Sequence, residues 1–389
     1  MSESAAERCR HLLFEQFPEL QNAPNGFMVV GGAVRDALLG RMAPDVDFAG
    51  ERAEWASAAF ARDISATRVT LGREPLIVYR VVRAGRIFDF SERVGDSLAE
   101  DLARRDFTIN AMALDLSAPA IHDVFGGQAD LEAGLVRMVR PSNFSDDPLR
   151  LLKGVRMAVQ CSFDIEPATL QAIRSRAPLI NSVAVERIAV ELLSIFSQGI
   201  AGSAARLLHE TALDAEIFGK PFEARQLRAF DKVPAGDPLA IFALAFLEWP
   251  VTRIRQFAMR FRWSDLVLRE VMKTLEAIKK LEDGDHPGIP VVAFDAGREA
   301  VGRTLLLLRA TGKRALASKL QRAVEAGEEI FSTSSFLTGE EIQEIARLRP
   351  GRTVGTLKRR LLEAQLRGEI LSKESAVATL RDWTVDKPN

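Results

Sequence analysis

The chain has two hydrophobic rhythms, and they divide it. In the first part, short apolar runs end at turn residues. FMVVGG (27–32) reads as a buried strand with a glycine turn, and AVRDALLG (33–40) as a helix closed by Gly40. Residues 45–49 (DVDFA) alternate like a strand, as do 76–82 and 86–90. Residues 101–116 carry Phe107, Ala111 and Leu114 at spacings of three and four, which predicts a helix. The turn-rich FGGQADLEAG (125–134) predicts a loop, followed by a short strand at 136–139. From about Asp146 onward the rhythm is almost wholly helical. Asp147 before Pro148 reads as a helix start, a carboxylate cap with proline at the first helical position. Leu149, Leu152, Val155 and Val159 then form one apolar face, and 183–195 carries another. Looser stretches are expected at 219–238 and 282–290. A last helical module is expected from near Leu337, with a turn at RPGRT (349–353) and a disordered-looking tail, VDKPN.

Bulk properties narrow this picture modestly. A chain of 389 residues predicts roughly two to four domains. With 47% hydrophobic and 27% charged residues and no apolar run of membrane-spanning length, no membrane association is expected. The charged N-terminus has no apolar signal-peptide core, and the cysteines Cys9 and Cys161 lie far apart. A cytoplasmic protein with reduced thiols is expected. A net charge of −1 gives no global nucleic-acid signal. Basic residues do cluster at Arg104-Arg105, at Arg150, Lys153 and Arg156, and at Lys358-Arg359-Arg360, which is compatible with local basic grooves. The histidines show no phosphohydrolase pattern, so no fused hydrolase domain is expected.

The chemistry starts at Gly31-Gly32 and Asp45-Val46-Asp47. Carboxylates at i and i+2 on a strand project from one face a few ångströms apart. They repel unless a cation lies between them or one is protonated. Such a pair suits two Mg²⁺ ions, one activating a hydroxyl and one clamping a triphosphate during in-line displacement. A Gly-Gly turn lets backbone N–H groups approach phosphate oxygens. The alternative is a solvated Asp-x-Asp on a surface turn. The glycines lack the spacing of a dinucleotide fingerprint.

The whole string GGAVRDALLGRMAPDVDFAG resembles the first motif of the class II tRNA nucleotidyltransferase and bacterial poly(A) polymerase family, a branch of the polymerase-β-like superfamily. RRDFTINAMAL (104–114), FGGQADLEAGLVRMV (125–139), DDPLRLLKGVRMA (146–158) and VERIAVELLSIF (185–196) resemble its next four motifs, in order. LTGEEI with PGRTVGTLKRRLLEAQLRGEI resembles the tail of many members. The resemblance implies an α+β protein, with a small polymerase-β-like head of mixed sheet and flanking helices ahead of an all-helical neck, body and tail. The implied boundaries are 1–143, 144–200, 201–330 and 331–389. It further implies Asp45 and Asp47 as metal ligands, with Asp89 as a third acidic, catalytic residue of the metal site. Gly31, Gly32 and Arg35 would hold the triphosphate. Arg105, Asp106 and Asn110 would contact ribose or phosphate. For Asp89 a strand-end carboxylate satisfied by backbone is an equal alternative, and for Asp106 a helix cap.

Asp147 and Arg150, three apart at a helix start, share a face. A carboxylate accepts from an exocyclic amine and a guanidinium donates to a ring nitrogen, the pattern of cytosine and adenine. Uracil and guanine present the reverse, and each unpaired group costs about 1–3 kcal/mol. Such a pair selects CTP and ATP without a template; the alternative is an intrahelical salt bridge. Lys153 and Arg156 continue the same helix. The family usually has Glu where Asp146 stands and Arg where Lys153 stands, and Lys can still meet a phosphate.

The expected function is template-independent addition of C, A or both to the CCA end of tRNA, from CTP and ATP with Mg²⁺. The short connection SERVGDSLAEDLARRDF resembles that of members adding only the two cytidines. Poly(A) polymerase is the alternative, and a catalytically silent RNA-binding protein a lower one. Lys358, Arg359 and Arg360 are candidate RNA contacts, with solvated charge the bland reading. The oligomeric state is left open.

Overall fold

The structure is a computed structural model. It describes residues 3–73, 76–197, 201–234, 236–284, 286–326 and 328–385. These fall into two compact units, one within Met1–Gly199 and Arg206–Pro221, the other within Ile200–Ala205 and Phe222–Asn389.

The first unit opens with α1 (Ala5–Gln16), whose capping box joins Ser4 and Glu7. Then come β1 (Met28–Val30), α2 (Gly32–Leu38), β2 (Val46–Gly50), α3 (Ala53–Asp63), β3 (Thr67–Arg73), β4 (Leu76–Arg83) and β5 (Arg86–Glu92). After α4 (Leu98–Ala103), β6 (Ala113–Asp115) and β7 (Ala120–His122) complete a seven-stranded sheet in the order β3-β4-β5-β2-β1-β6-β7. β2 and β5 pair in parallel and the other neighbours antiparallel, the mixed sheet that the resemblance implies.

Alternation along β2 and β5 decides where the carboxylates go. Phe48, Phe88 and Phe90 are fully buried and pack with Phe60 of α3, ring centroids 4.6–6.1 Å apart. Asp47 and Asp89 stand next to these phenylalanines in sequence and so project from the other face, opposite each other in the parallel register.

Two expectations fail between β5 and the helical part. Residues 101–116 are not one helix: α4 ends at Ala103, a 3₁₀ turn spans Thr108–Asn110, and β6 follows. Phe107, Ile109 and Ala111 to Leu114 are all fully buried, so apolar residues on every side imitate a helical period. Pairing of β6 with β1 and β7 overrides it. FGGQADLEAG is not a loop but contains α5 (Gly127–Ala133). Its cap comes from upstream: Asp123 accepts from the N–H groups of Gly127 and Gln128 at 2.7 and 2.9 Å. Gly127 is required because a Cβ there would collide with the Thr108 carbonyl. The strand expected at 136–139 reduces to β8 (Leu135–Val136) and a bridge between Phe107 and Met138.

The helical part of this unit contains α6 (Asn143–Asp146), α7 (Leu149–Cys161), a two-residue β9 (Asp164–Ile165) beside β8, α8 (Pro167–Arg176) and α9 (Val185–Ser197). Ile188, Leu192, Ile195 and Phe196 form the buried face of α9.

In the second unit the regular elements among the described residues are helices. The looser stretch expected at 219–238 holds a helix, Ala224–Phe230, closed by a Glu223/Gln226 capping box. The expected module near the end contains helices Gly339–Ala346, Arg352–Leu366 and Lys373–Val385 around a cluster that includes Leu337, Ile342, Leu361 and Leu380. Of the VDKPN tail, residues 386–389 lie outside the described residues. No described helix is long and apolar enough to cross a membrane.

Candidate active site

A cleft of about 470 Å³ in the first unit gathers most of the residues singled out from the sequence. Its lining includes Gly31, Gly32, Arg35, Asp45 and Asp47 from the β1–α2 turn and the start of β2. Arg105, Asp106 and Asn110 come from the segment after α4. Asp147, Arg150, Lys153 and Arg156 come from the start and first turns of α7. Three separate stretches of chain therefore converge on one space.

The carboxylates there are held at an electrostatic cost. Burial pushes the Asp47 carboxyl up to about 6, Asp45 adds to the shift, and Arg105 and Lys153 oppose it. Asp45 is raised as well, by burial first and then by Asp89. Gly31 has φ +76°, and a Cβ on it would lie 3.0 Å from Nη1 of Arg105 and 3.6 Å from Oδ2 of Asp47. Glycine thus lets the backbone pass close between a guanidinium and a carboxylate that a side chain would crowd.

Among the described residues no cluster of three or more His, Cys, Asp or Glu side chains is arranged to hold a metal. The donor set is a pair of hard oxygen ligands. That fits Mg²⁺, which keeps several waters and takes one or two protein carboxylates plus substrate phosphates. A divalent cation would also offset the burial and the carboxylate repulsion that raise both groups.

Asp89 is placed differently from a free third ligand. It is not in the cleft lining, and Arg80 of β4 grips it in a bidentate pair, Nε–Oδ1 2.9 Å and Nη2–Oδ2 2.7 Å. It is satisfied by a guanidinium rather than by backbone. Arg35 is likewise engaged: it is only 5% exposed, forks onto Asp36 at 2.9 Å for both bonds, and donates to Asn110 Oδ1 at 2.6 Å. Asn110 donates on to Asp106 Oδ1 at 3.0 Å, an oxygen that also accepts from the Phe107 N–H at 2.8 Å. Asp36, Arg35, Asn110 and Asp106 form one hydrogen-bonded chain along the cleft wall. Asp36 is buried and was not singled out from the sequence, although it adjoins Arg35.

At the other wall, Asp147 Oδ1 accepts from the Leu149 N–H at 3.4 Å, a long cap on α7. Its Oδ2 accepts from Nη2 of Arg187 on α9 at 3.1 Å. Arg150 does not pair with it within the helix but donates to the Asn143 carbonyl at 3.1 Å. Asn143, 3% exposed, donates from Nδ2 to the carbonyls of Ala103 and Arg105 at 2.9 and 2.7 Å, which ties α6 to the second motif. Arg156 donates from Nε to Glu191 of α9 at 2.7 Å and from Nη1 to Gln160 at 3.1 Å. Lys153 lines the cleft between them, while Asp146 is exposed. Arg187 and Glu191 are the side chains that sequence reasoning missed. Their signal was an opposite-charge pair at i, i+4 on α9, whose partners lie 40 and 35 residues upstream.

Lys358, Arg359 and Arg360 belong to the second unit. Arg359 is engaged by Glu363 at 2.7 Å and by Asp295 at 2.7 Å, and Arg360 lies over the Trp383 ring at 4.2 Å. Lys358 is exposed.

Known proteins resemble this chain in sequence and in fold. Residues 27–137 match the family described as the Poly A polymerase head domain. Residues 162–223 match that described as the probable RNA and SrmB-binding site of polymerase A. A CC-adding tRNA nucleotidyltransferase of Synechocystis is 29% identical over 94% of this chain and 96% of its own. Another of that description, from Geobacter sulfurreducens, is 40% identical over 43% of this chain and 39% of its own. The structure of the Bacillus stearothermophilus CCA-adding enzyme in complex with CTP aligns with a TM-score of 0.71 at 25% identity, over 99% of this chain and 98% of that one.

Proposed function

We propose that the chain is a member of the family of CCA-adding nucleotidyltransferases and bacterial poly(A) polymerases, and that it adds C, A or both to the CCA end of tRNA, using CTP and ATP without a template. The observation that carries this is the convergence of Asp45 and Asp47 with Asp147 and Arg150 on one cleft. One pair serves the transfer and the other reads the base.

Asp45 and Asp47 would hold the two Mg²⁺ ions. Bound there, the metal supplies Lewis acidity toward the attacking 3′ hydroxyl and the triphosphate. Arg105, Lys153 and Arg156 offer cationic donors to phosphate oxygens, with Gly31 and Gly32 allowing close backbone approach. Arg35, Asp106 and Asn110, locked to one another, shape the wall that meets ribose or phosphate. Asp147 accepts the exocyclic amine of cytosine or adenine, and Arg150 donates to the neighbouring ring nitrogen. Asp89, paired with Arg80, acts through charge beside Asp45 and Asp47. Head (1–143) and neck (144–200) build the site, and body (201–330) and tail (331–389) serve RNA. The proposed setting is the cytoplasm, in keeping with free, buried Cys9 and Cys161.

CC addition alone is a second reading, favoured by one observation: only residues 93–97 join β5 to α4. Poly(A) addition has less support, since the similar proteins described above are named for CC or CCA addition. The test incubates the protein with tRNAs lacking the last one, two or three nucleotides and each labelled triphosphate, then sizes the products. Extension by two cytidines or by the full CCA supports the reading and separates its forms. Long adenylate tails, or no extension of any tRNA, would sink it.

A further inference from the structure

The base-reading helix is braced from behind by two side chains of α9. Arg187 and Glu191 lie one turn apart and share a face. One bonds Asp147 and the other Arg156, and both of those line the cleft. We propose that α9 is a specificity brace, with Arg187 a positioning residue that sets the carboxylate plane of Asp147 and Glu191 one that fixes Arg156. The inference rests on the reading of Asp147 as the base selector.

The need for a brace follows from local geometry. Asp147 lies between α6 and α7 with an extended backbone, φ −141° and ψ 94°. Its own cap bond is long at 3.4 Å and holds only Oδ1. Discrimination between an amine and a carbonyl requires the acceptor oxygen to stay in the plane of the base edge. Arg187 holds the second oxygen, and two fixed oxygens define that plane. Each keeps a free lone pair for a base amine. Glu191, with its side chain 12% exposed, bonds Arg156 at 2.7 Å, so the second contact is better shielded than the first.

The test uses the full chain with Arg187→Ala, Arg187→Lys, Asp147→Ala and the Arg187→Ala/Asp147→Ala double variant. Its readouts are KM and kcat for CTP and UTP on tRNA lacking CCA, and equilibrium binding of the same nucleotides without tRNA. Arg187→Ala is expected to lower the CTP-over-UTP preference about tenfold, through KM more than kcat, since the selecting acceptor loses its orientation. Lysine should restore most of it. Once Asp147 is alanine, removing Arg187 as well should change the preference less than about twofold, because the two act as one unit. The Arg187 side chain is half exposed, so melting temperature should hardly move, which a purely structural role would not produce. An unchanged preference in Arg187→Ala, or a full additional effect in the double variant, overturns the brace. A wild-type protein that extends no tRNA overturns the proposed function instead, and the CTP and UTP binding ratio still decides the brace.

Discussion

At Asp47 burial and the neighbouring Asp45 work together against the charged form, and its pKa rises to about 6. The sign of the stability effect follows. Between the ordinary value of 3.8 and about 6 the folded state holds more protons than the unfolded chain, so stability falls as pH rises through that window. Asp47→Asn should therefore stabilise the metal-free protein above pH 6, by up to about 3 kcal/mol, with the gain vanishing below about pH 4. Denaturant titrations across pH read this directly, and a gain that persists in acid would contradict it. The same substitution should abolish nucleotide incorporation while tRNA binding stays near wild type. Asp147→Ala should admit UTP or GTP, and unchanged nucleotide choice would remove it as the base reader. At Gly31 an alanine would be strained by the positive φ and would crowd Arg105, so activity should fall at least about tenfold in a protein that still folds.

Elements set these residues in place through register and through ties between segments. A one-residue slip of β2 would put Asp47 among the phenylalanines and Phe48 in the cleft, and the aromatic cluster excludes it. The second motif is held by α5, where Thr108 donates to Asp130 at 2.6 Å and Arg137 meets the same carboxylate at 3.1 Å. That explains why a third motif with no side chain in the cleft lining still matters to it. Asn143 is the tie between α6 and the second motif. Asn143→Ala leaves one buried and one part-buried carbonyl without this donor, and should cost about 1–3 kcal/mol in chemical denaturation. A loss within a few tenths would mean water replaces the side chain.

Across the whole chain, chemistry and helical packing divide between two units, each with buried residues of its own. The final helices close around Leu361, which is 2% exposed. Leu361→Ala should cost the module about 2–5 kcal/mol and weaken tRNA binding, while CTP binding in its absence stays unchanged. Of the three basic residues near it, Lys358 is the one that binding should report. Lys358→Ala should reduce the slope of log affinity against log salt by about one. Arg359→Ala should act mainly on stability, because Glu363 and Asp295 already hold its charge.

Much of this was legible in residues alone. Alternation and glycine stops located β1, β2, β4 and β5, because a half-buried strand must alternate and a turn must admit its backbone. Most of the cleft residues could be named through the resemblance of their motifs to a known family, whereas Asp36, Pro44 and Gln160 of the lining could not. Where nearly every residue is buried, as from Phe107 to Leu114 apart from half-buried Asn110, periodicity carries no direction, and pairing with β1 made Ala113–Asp115 a strand rather than helix. Tertiary structure alone gave Asp89 to Arg80, Arg35 to Asp36 and Asn110, and Asp147 and Arg156 to α9. The physical reason is common to all of them. Composition and spacing specify what a side chain can bind, but a charged group bonds whichever partner the fold brings within about 3 Å, and that partner stands on another element.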